Sequence, residues 1–171
     1  AAAGYRIAMI ARDKNRLSSL ESEISGSKGF ICDVSDLYKL QKTCTKIKEI
    51  MGAPEILIHN AVKGNFEKLL EGKPEWLEEN FRINTTSLMY LAHAVIPDMI
   101  KNKKGVIIIT GNTAAKRGVA STPYFAPTKA AQRILAQSLA KDFGPKGIHV
   151  AYVMIDAFIN TPWTRKRIKA Q

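Results

Sequence analysis

The strongest constraint on the fold is an alternation that runs the length of the chain. Five short apolar runs, Tyr5–Ala11, Phe30–Cys32, Ile56–His59, Val106–Thr110 and Ile148–Ile155, are separated by stretches with helical spacing at 13–25, 36–51, 74–102 and 122–143. Apolar runs without polar alternation predict strands buried on both faces, as parallel sheets require. Strands and helices in strict alternation therefore predict an α/β fold with right-handed crossovers. Gly26, Gly52 and Gly144 stand where helix C-terminal caps are expected. The opening AAAG reads as the last turn of a helix closed by Gly4, so the chain is expected to start inside a helix, as a fragment.

A length of 171 residues suggests one domain. With 46% hydrophobic and 24% charged residues, disorder, collagen and disulfide miniproteins are excluded. No apolar run is long enough to cross a bilayer, and the first residues lack the order of a secretion signal. Cys32 and Cys44 are too few for a disulfide framework and have no metal-ligand spacing. His59, His93 and His149 are scattered and suggest packing or surface roles, so no metal site is expected. The skewed quantity is charge: 26 basic against 15 acidic residues give +11. That suits an anionic cofactor or a nucleic acid, or marks a solvated exterior, as Lys39, Lys42 and Lys46 would on a wet helix face. No zinc-finger, homeodomain or RNA-recognition signature accompanies it, so nucleic-acid binding is not expected. A basic chain is compatible with cytosol, mitochondrial matrix or peroxisome, which leaves the compartment open.

Local features then combine. Arg12 stands just after the first run. Asp33-Val34 ends the second, and Asn60-Ala61 ends the third within His59-Asn60-Ala61-Val62. Asn84 lies in FRINTTSLMYLAHAVIPDM. GVIIITGNTAAKRG and TKAAQRILAQSLAKDFGPKGIHV follow in that order. This ordered set resembles the short-chain dehydrogenase/reductase family from Ala1 to about Trp163. The resemblance implies a Rossmann-like doubly wound parallel sheet, a single incomplete domain over 1–171 that binds NADP at the carboxyl ends of its strands. Arg12 matches the position that accepts the adenosine 2′-phosphate, where a planar guanidinium forms bidentate bonds; its bland alternative is a surface arginine. Asp33 matches the residue at the adenine ring, with Val34 beside it; alternatively Asp33 caps the following helix. Asn60 and Ala61 match an Asn-Asn-Ala-Gly turn whose final glycine is Val62 here. Ile159 and Thr161 match positions that contact the nicotinamide amide, while Asp156 and Ala157 replace Pro-Gly.

The same resemblance implies hydride transfer between the nicotinamide and a small carbonyl or alcohol substrate, using a Tyr acid, a Lys four residues later, a Ser at a strand end, and an Asn completing a water relay. Lys129 and Asn84 are present. The position four before Lys129 is Phe125, which has no proton to give. Tyr124 is the candidate substitute, or else an aromatic packed at the helix entrance. Asn112 stands in the Ser position, where its amide can donate to a developing oxyanion. The catalytic candidates are therefore Asn84, Asn112, Lys129 and Tyr124. The family's first strand and glycine-rich phosphate loop have no counterpart in the sequence. That strand is central, so its neighbours would stand about 9.6 Å apart, two strand spacings, with unpaired backbone on each. A preceding segment of about 20 residues, or another chain, is expected to fill the gap. The alternative to an active oxidoreductase is a silent structural or regulatory subunit. Family likeness also implies a homo-oligomer formed through the long helix and the Lys-bearing helix.

Overall fold

The computed structural model describes residues 3–157, 159–161 and 164–165. Among these residues, strands and helices alternate: β1 Ile7–Ala11, α1 Lys14–Glu23, β2 Ser27–Ile31, α2 Leu37–Met51, β3 Ile56–His59, α3 Glu75–Phe81, α4 Ser87–Lys101, β4 Gly105–Asn112, α5 Ala126–Phe143 and β5 Ile148–Ile155. Every strand pairing is parallel. The strands form two ladders, β1–β2 and β3–β4–β5, and no ladder joins β1 to β3. The break lies between β1 and β3, the two strands that the family likeness sets on either side of a further strand.

The main core gathers around β4. Ile107 and Ile109 are fully buried and pack with Leu88, Ala92, Val95, Ile96 and Met99 of α4, Ala136 and Leu139 of α5, and Ile148 of β5. Burying each of the Leu, Ile, Val and Met side chains contributes about 1.5–3 kcal/mol, and each alanine methyl less than about 1 kcal/mol. Gly111 is required for this packing, because a Cβ there would lie 2.0 Å from the Tyr152 ring.

Four local expectations are corrected. Strand burial is one-sided in places: Ile58 is 61% exposed and Val153 47%, because the helices of the main core, α4 and α5, cover a single face of their ladder. The 74–102 helix is interrupted by a π-helical turn at Arg82–Thr86, with Asn84 buried inside it. The last helix begins at Ala126 rather than 122, since Pro123 and Pro127 disfavour a regular first turn. Gly144 is helical at φ −54°, and the left-handed position falls at Gly147, φ +84°, after one further tight turn. Of the opening AAAG, Ala1 and Ala2 lie outside the described residues, and Gly4 has φ +82°.

Candidate functional site

All strands being parallel, their carboxyl ends fall on one edge, and a crevice opens there. It is open to solvent, has a cavity volume of about 190 Å³ and is lined by Ile10, Ala11, Arg12, Cys32, Asp33, Val34, Ala61, Val62 and Ile83. The ends of β1 and β2 thus share one hollow with the turn after β3 and with the π turn.

At the outer end the Arg12 guanidinium lies 3.6 Å from the Asp33 carboxylate and is largely exposed. Asp33 accepts from the Ser35 backbone N–H at 2.9 Å and from its hydroxyl at 2.7 Å. Burial opposes the Asp33 charge, but the Ser35 donors and Arg12 outweigh it and hold the carboxyl below its ordinary range. Asp33 does not cap α2; that role belongs to Asp36, which accepts from the Lys39 N–H at 3.0 Å. Asn60 is exposed and is not among the lining residues.

Behind the inner end sits a buried polar assembly. Asn84 is fully buried. Its carbonyl oxygen accepts from the Lys63 N–H at 2.8 Å, and its amide donates to the Lys63 carbonyl and to the Thr128 hydroxyl, each at 2.8 Å. The side chain therefore ties the loop after β3 to the first turn of α5. The π turn has a physical role here: its extra residue per turn re-aims a side chain within a helix, a device common at functional sites. Lys129 follows Thr128 and is 2% exposed. Its ammonium donates to the Thr110 carbonyl at 3.1 Å and to the Gln132 side-chain oxygen. Burial pushes its pKa down to about 8. Lys129 does not line the crevice.

Gln132 and His59 belong to this assembly although sequence reasoning passed over both. Gln132 is fully buried, and its amide donates to the Asn84 carbonyl at 2.5 Å and to His59 Nδ1 at 3.1 Å. His59 Nε2 in turn donates to the Ser87 hydroxyl at 2.9 Å, and Ser87 donates to the Ile83 carbonyl at 2.6 Å. Burial, reinforced by the Lys129 charge, pushes His59 down to about 4, so it is neutral at pH 7. Gln132 was detectable as the residue three positions after Lys129 on the same helix face. The His59 partnership spans 73 residues and leaves no trace in spacing.

The Tyr124 phenol is engaged away from the crevice. Its hydroxyl donates to the Leu69 carbonyl at 2.5 Å, and its ring packs edge-on against Trp76, 5.7 Å between centroids. The backbone there does leave the helix, but the phenol turns toward the 69–76 segment. Phe125 is 3% exposed and stacks on Phe66 at 4.9 Å. At the end of β4, the side-chain oxygen of Asn112 is buried and has no hydrogen-bond partner. Ile159 and Thr161 lie in a turn closed by Thr164, whose hydroxyl donates to the Ile159 carbonyl at 2.6 Å; neither lines the crevice. Among the described residues, no group of His, Cys, Asp and Glu could hold a metal. None of the helices among them is long and apolar enough to cross a membrane.

Comparison with known proteins places this geometry. The chain is 28% identical over 166 residues to the 3-oxoacyl-(acyl-carrier-protein) reductase of Escherichia coli, covering 96% of this chain and 68% of that one. It is 25% identical over 150 residues to the L-xylulose reductase of Mesocricetus auratus, covering 87% of this chain and 60% of that one. It thus spans about two thirds of such relatives. In three dimensions it is similar to an NADPH-bound short-chain oxidoreductase of Pseudomonas aeruginosa described as containing an atypical catalytic center, with a TM-score of 0.90 at 23% identity, over 99% of this chain and 68% of that one. A metagenomic short-chain oxidoreductase in complex with NADP gives 0.85 at 26% identity, over 92% and 73%. The fold is therefore Rossmann-like, with the parallel doubly wound arrangement. The short chain dehydrogenase family profile matches residues 1–171, and the chain belongs to that family of oxidoreductases.

Proposed function

We propose that the chain is the NADP-binding and reacting part of an oxidoreductase that transfers hydride between the nicotinamide and a small carbonyl or alcohol. The observation that carries this reading is the crevice itself, which runs from Arg12 and Asp33 past Ala61 and Val62 to Ile83, at the strand ends where ligands of doubly wound sheets bind. The residues present fit such a dinucleotide. Arg12 offers an exposed guanidinium for a 2′-phosphate. The buried, unpartnered side-chain oxygen of Asn112 marks a polar group that awaits a partner at the end of β4. The dinucleotides bound to the two similar oxidoreductases support the choice of NADP over other anions.

When bound, the nicotinamide supplies or takes the hydride. The chain's own residues supply position and charge. Arg12, Asp33 and Val34 would hold the adenosine end, with Ala61 further along the crevice; Asn60, Ile159 and Thr161, which lie outside its lining, would reach the nicotinamide end only by family likeness. Asn112 orients the substrate oxygen through its carboxamide. Asn84 fixes the loop after β3 against α5 and so holds Lys129 in register with the crevice. At the family's tyrosine position the chain offers no proton: Phe125 has none, and the neighbouring Tyr124 gives its own to the Leu69 carbonyl. The Lys129 ammonium, with a pKa near 8, is the acid best matched to neutral pH. α4 and α5 form the face for a homo-oligomer, where Met89 and Ile134 are exposed.

Fluorescence titration of the full-length protein with NADPH tests this reading. Saturable binding followed by turnover of a carbonyl panel supports it. No binding at hundreds of micromolar removes it, and binding without turnover on any carbonyl points instead to a silent subunit.

A further inference from the structure

The side chain of Gln132 is placed so that it can read only one arrangement of its neighbours. Its oxygen accepts from the Lys129 ammonium, and its two amide hydrogens go to the Asn84 carbonyl at 2.5 Å and to His59 Nδ1 at 3.1 Å. Turning the carboxamide over would set its NH2 against an ammonium and its oxygen against a carbonyl, so the orientation is fixed. The His59 tautomer follows, because Nδ1 accepts and Nε2 therefore carries the hydrogen given to Ser87. Such a fully satisfied buried network specifies one geometry, and a carboxamide keeps its hydrogens rather than passing them on. The network therefore fixes position and does not conduct protons.

Its effect falls on Lys129. Two of the three ammonium hydrogens are engaged, by Thr110 and by Gln132, and both acceptors lie inside the protein. The titratable groups facing it are His59, which feels its charge, and Tyr152, whose hydroxyl donates to the Lys129 backbone carbonyl at 3.5 Å. No carboxylate contributes to its electrostatics. Among the described residues, the side chain that accepts from the ammonium is that of Gln132; the other acceptor, Thr110, is backbone.

We propose that Gln132 is a positioning residue that holds the Lys129 ammonium back from the crevice, so that a ligand needing this cation must draw it away from the Gln132 oxygen. This rests on the reading of the crevice as a dinucleotide site only in naming the ligand; the holding itself is a property of the chain alone. Binding that requires a less populated arrangement is weakened by the fraction in which that arrangement is present. Replacing Gln132 by an apolar side chain of similar length therefore frees Lys129 and tightens NADPH binding.

The test is trace acetylation of lysines in the ligand-free full-length protein, with the Lys129 peptide followed by mass spectrometry against exposed Lys46. Lys129 labels far more slowly than Lys46 in the wild type. Losing one hydrogen bond to a charged group makes Gln132→Leu and Gln132→Met label about tenfold faster at Lys129, with Lys46 and Lys104 unchanged. Gln132→Glu, which keeps an acceptor oxygen, retains the protection. Wild-type protection in both apolar variants overturns the proposal, and so does acceleration spread equally over all lysines. Adding NADPH to the freed variants separates the two readings. Renewed protection of Lys129 joins them, whereas freed labelling that NADPH does not change leaves Gln132 in its role and contradicts the cofactor.

Discussion

Around β4, α4 and α5 bury a continuous apolar cluster, with Leu88, Ile107, Ile109 and Ile148 at or below 1% exposure. Around β1 and β2 the buried cluster is only Cys32, Leu40 and Leu91, and Leu91 is borrowed from α4, with Phe30 and Leu17 buried apart from it. The ladder that carries Asn84, Asn112 and Lys129 is thus anchored on two helices. The ladder that carries Arg12 and Asp33 rests on α1, whose buried residue is Leu17, and on one contact region with α2 and α4. In the proposed reading the difference divides labour across one crevice: the half proposed for the reaction is the more deeply packed, and the half proposed for the adenosine end offers an exposed cation and a carboxylate. It also means that opening free energy is unevenly distributed, with β1–β2 at the low end.

The largest effect separates the two halves by stability. Ile107→Ala lowers unfolding free energy toward the upper end of about 2–5 kcal/mol, and Leu17→Ala toward the lower end, because the open surroundings of α1 collapse more easily. Urea denaturation of both variants measures this, and equal losses would erase the distinction. Next comes pH. His59 has a folded pKa of about 4 against an ordinary 6.5, so the unfolded chain binds a proton that the folded chain refuses. Stability is therefore full above pH 6.5 and falls as pH drops toward 4, by about 3 kcal/mol, from about 2.5 pKa units at 1.36 kcal/mol each. His59→Gln should flatten urea midpoints across pH 7 to 4.5, and an unchanged slope would place the acid sensitivity elsewhere. A third expectation concerns the more deeply packed half alone. Positioned general acids contribute typically 10²- to 10⁴-fold, so Phe125→Tyr raises carbonyl reduction by up to about 10²-fold in initial-rate assays. The smallest effect returns to the outer half: Asp36→Ala removes the α2 cap and lowers stability by about 1 kcal/mol, read by thermal unfolding.

The alternation of apolar runs and helical stretches carried the fold, and four strands fall close to where those runs lie. β2 begins at Ser27 rather than Phe30, because Ser-Lys-Gly reads as a turn while the β1 ladder draws it into a strand. The π turn around Asn84 was invisible, since five residues of altered winding do not disturb helical spacing enough to register. Within the candidate site, Arg12, Asp33 and Ala61 were legible through ordered motifs and do share a crevice. Tyr124 shows the limit of spacing, which places a residue on the chain and does not say which way its hydroxyl turns, here to the Leu69 carbonyl. Gln132 and His59 escaped because their meaning depends on contacts made across strands and helices far apart in sequence.

The central claim is that one nucleotide lies along the crevice from Arg12 toward Ile83 and draws on Lys129 at its inner end. Isothermal titration of the full-length protein with NADPH and NADH, in the wild type, Arg12→Ala and Lys129→Met, tests it most directly. The account predicts micromolar NADPH binding, about tenfold or more weakened in Arg12→Ala with NADH unaffected, as loss of a charged hydrogen bond implies, and weakened for both nucleotides in Lys129→Met. NADPH binding that neither substitution alters would contradict it.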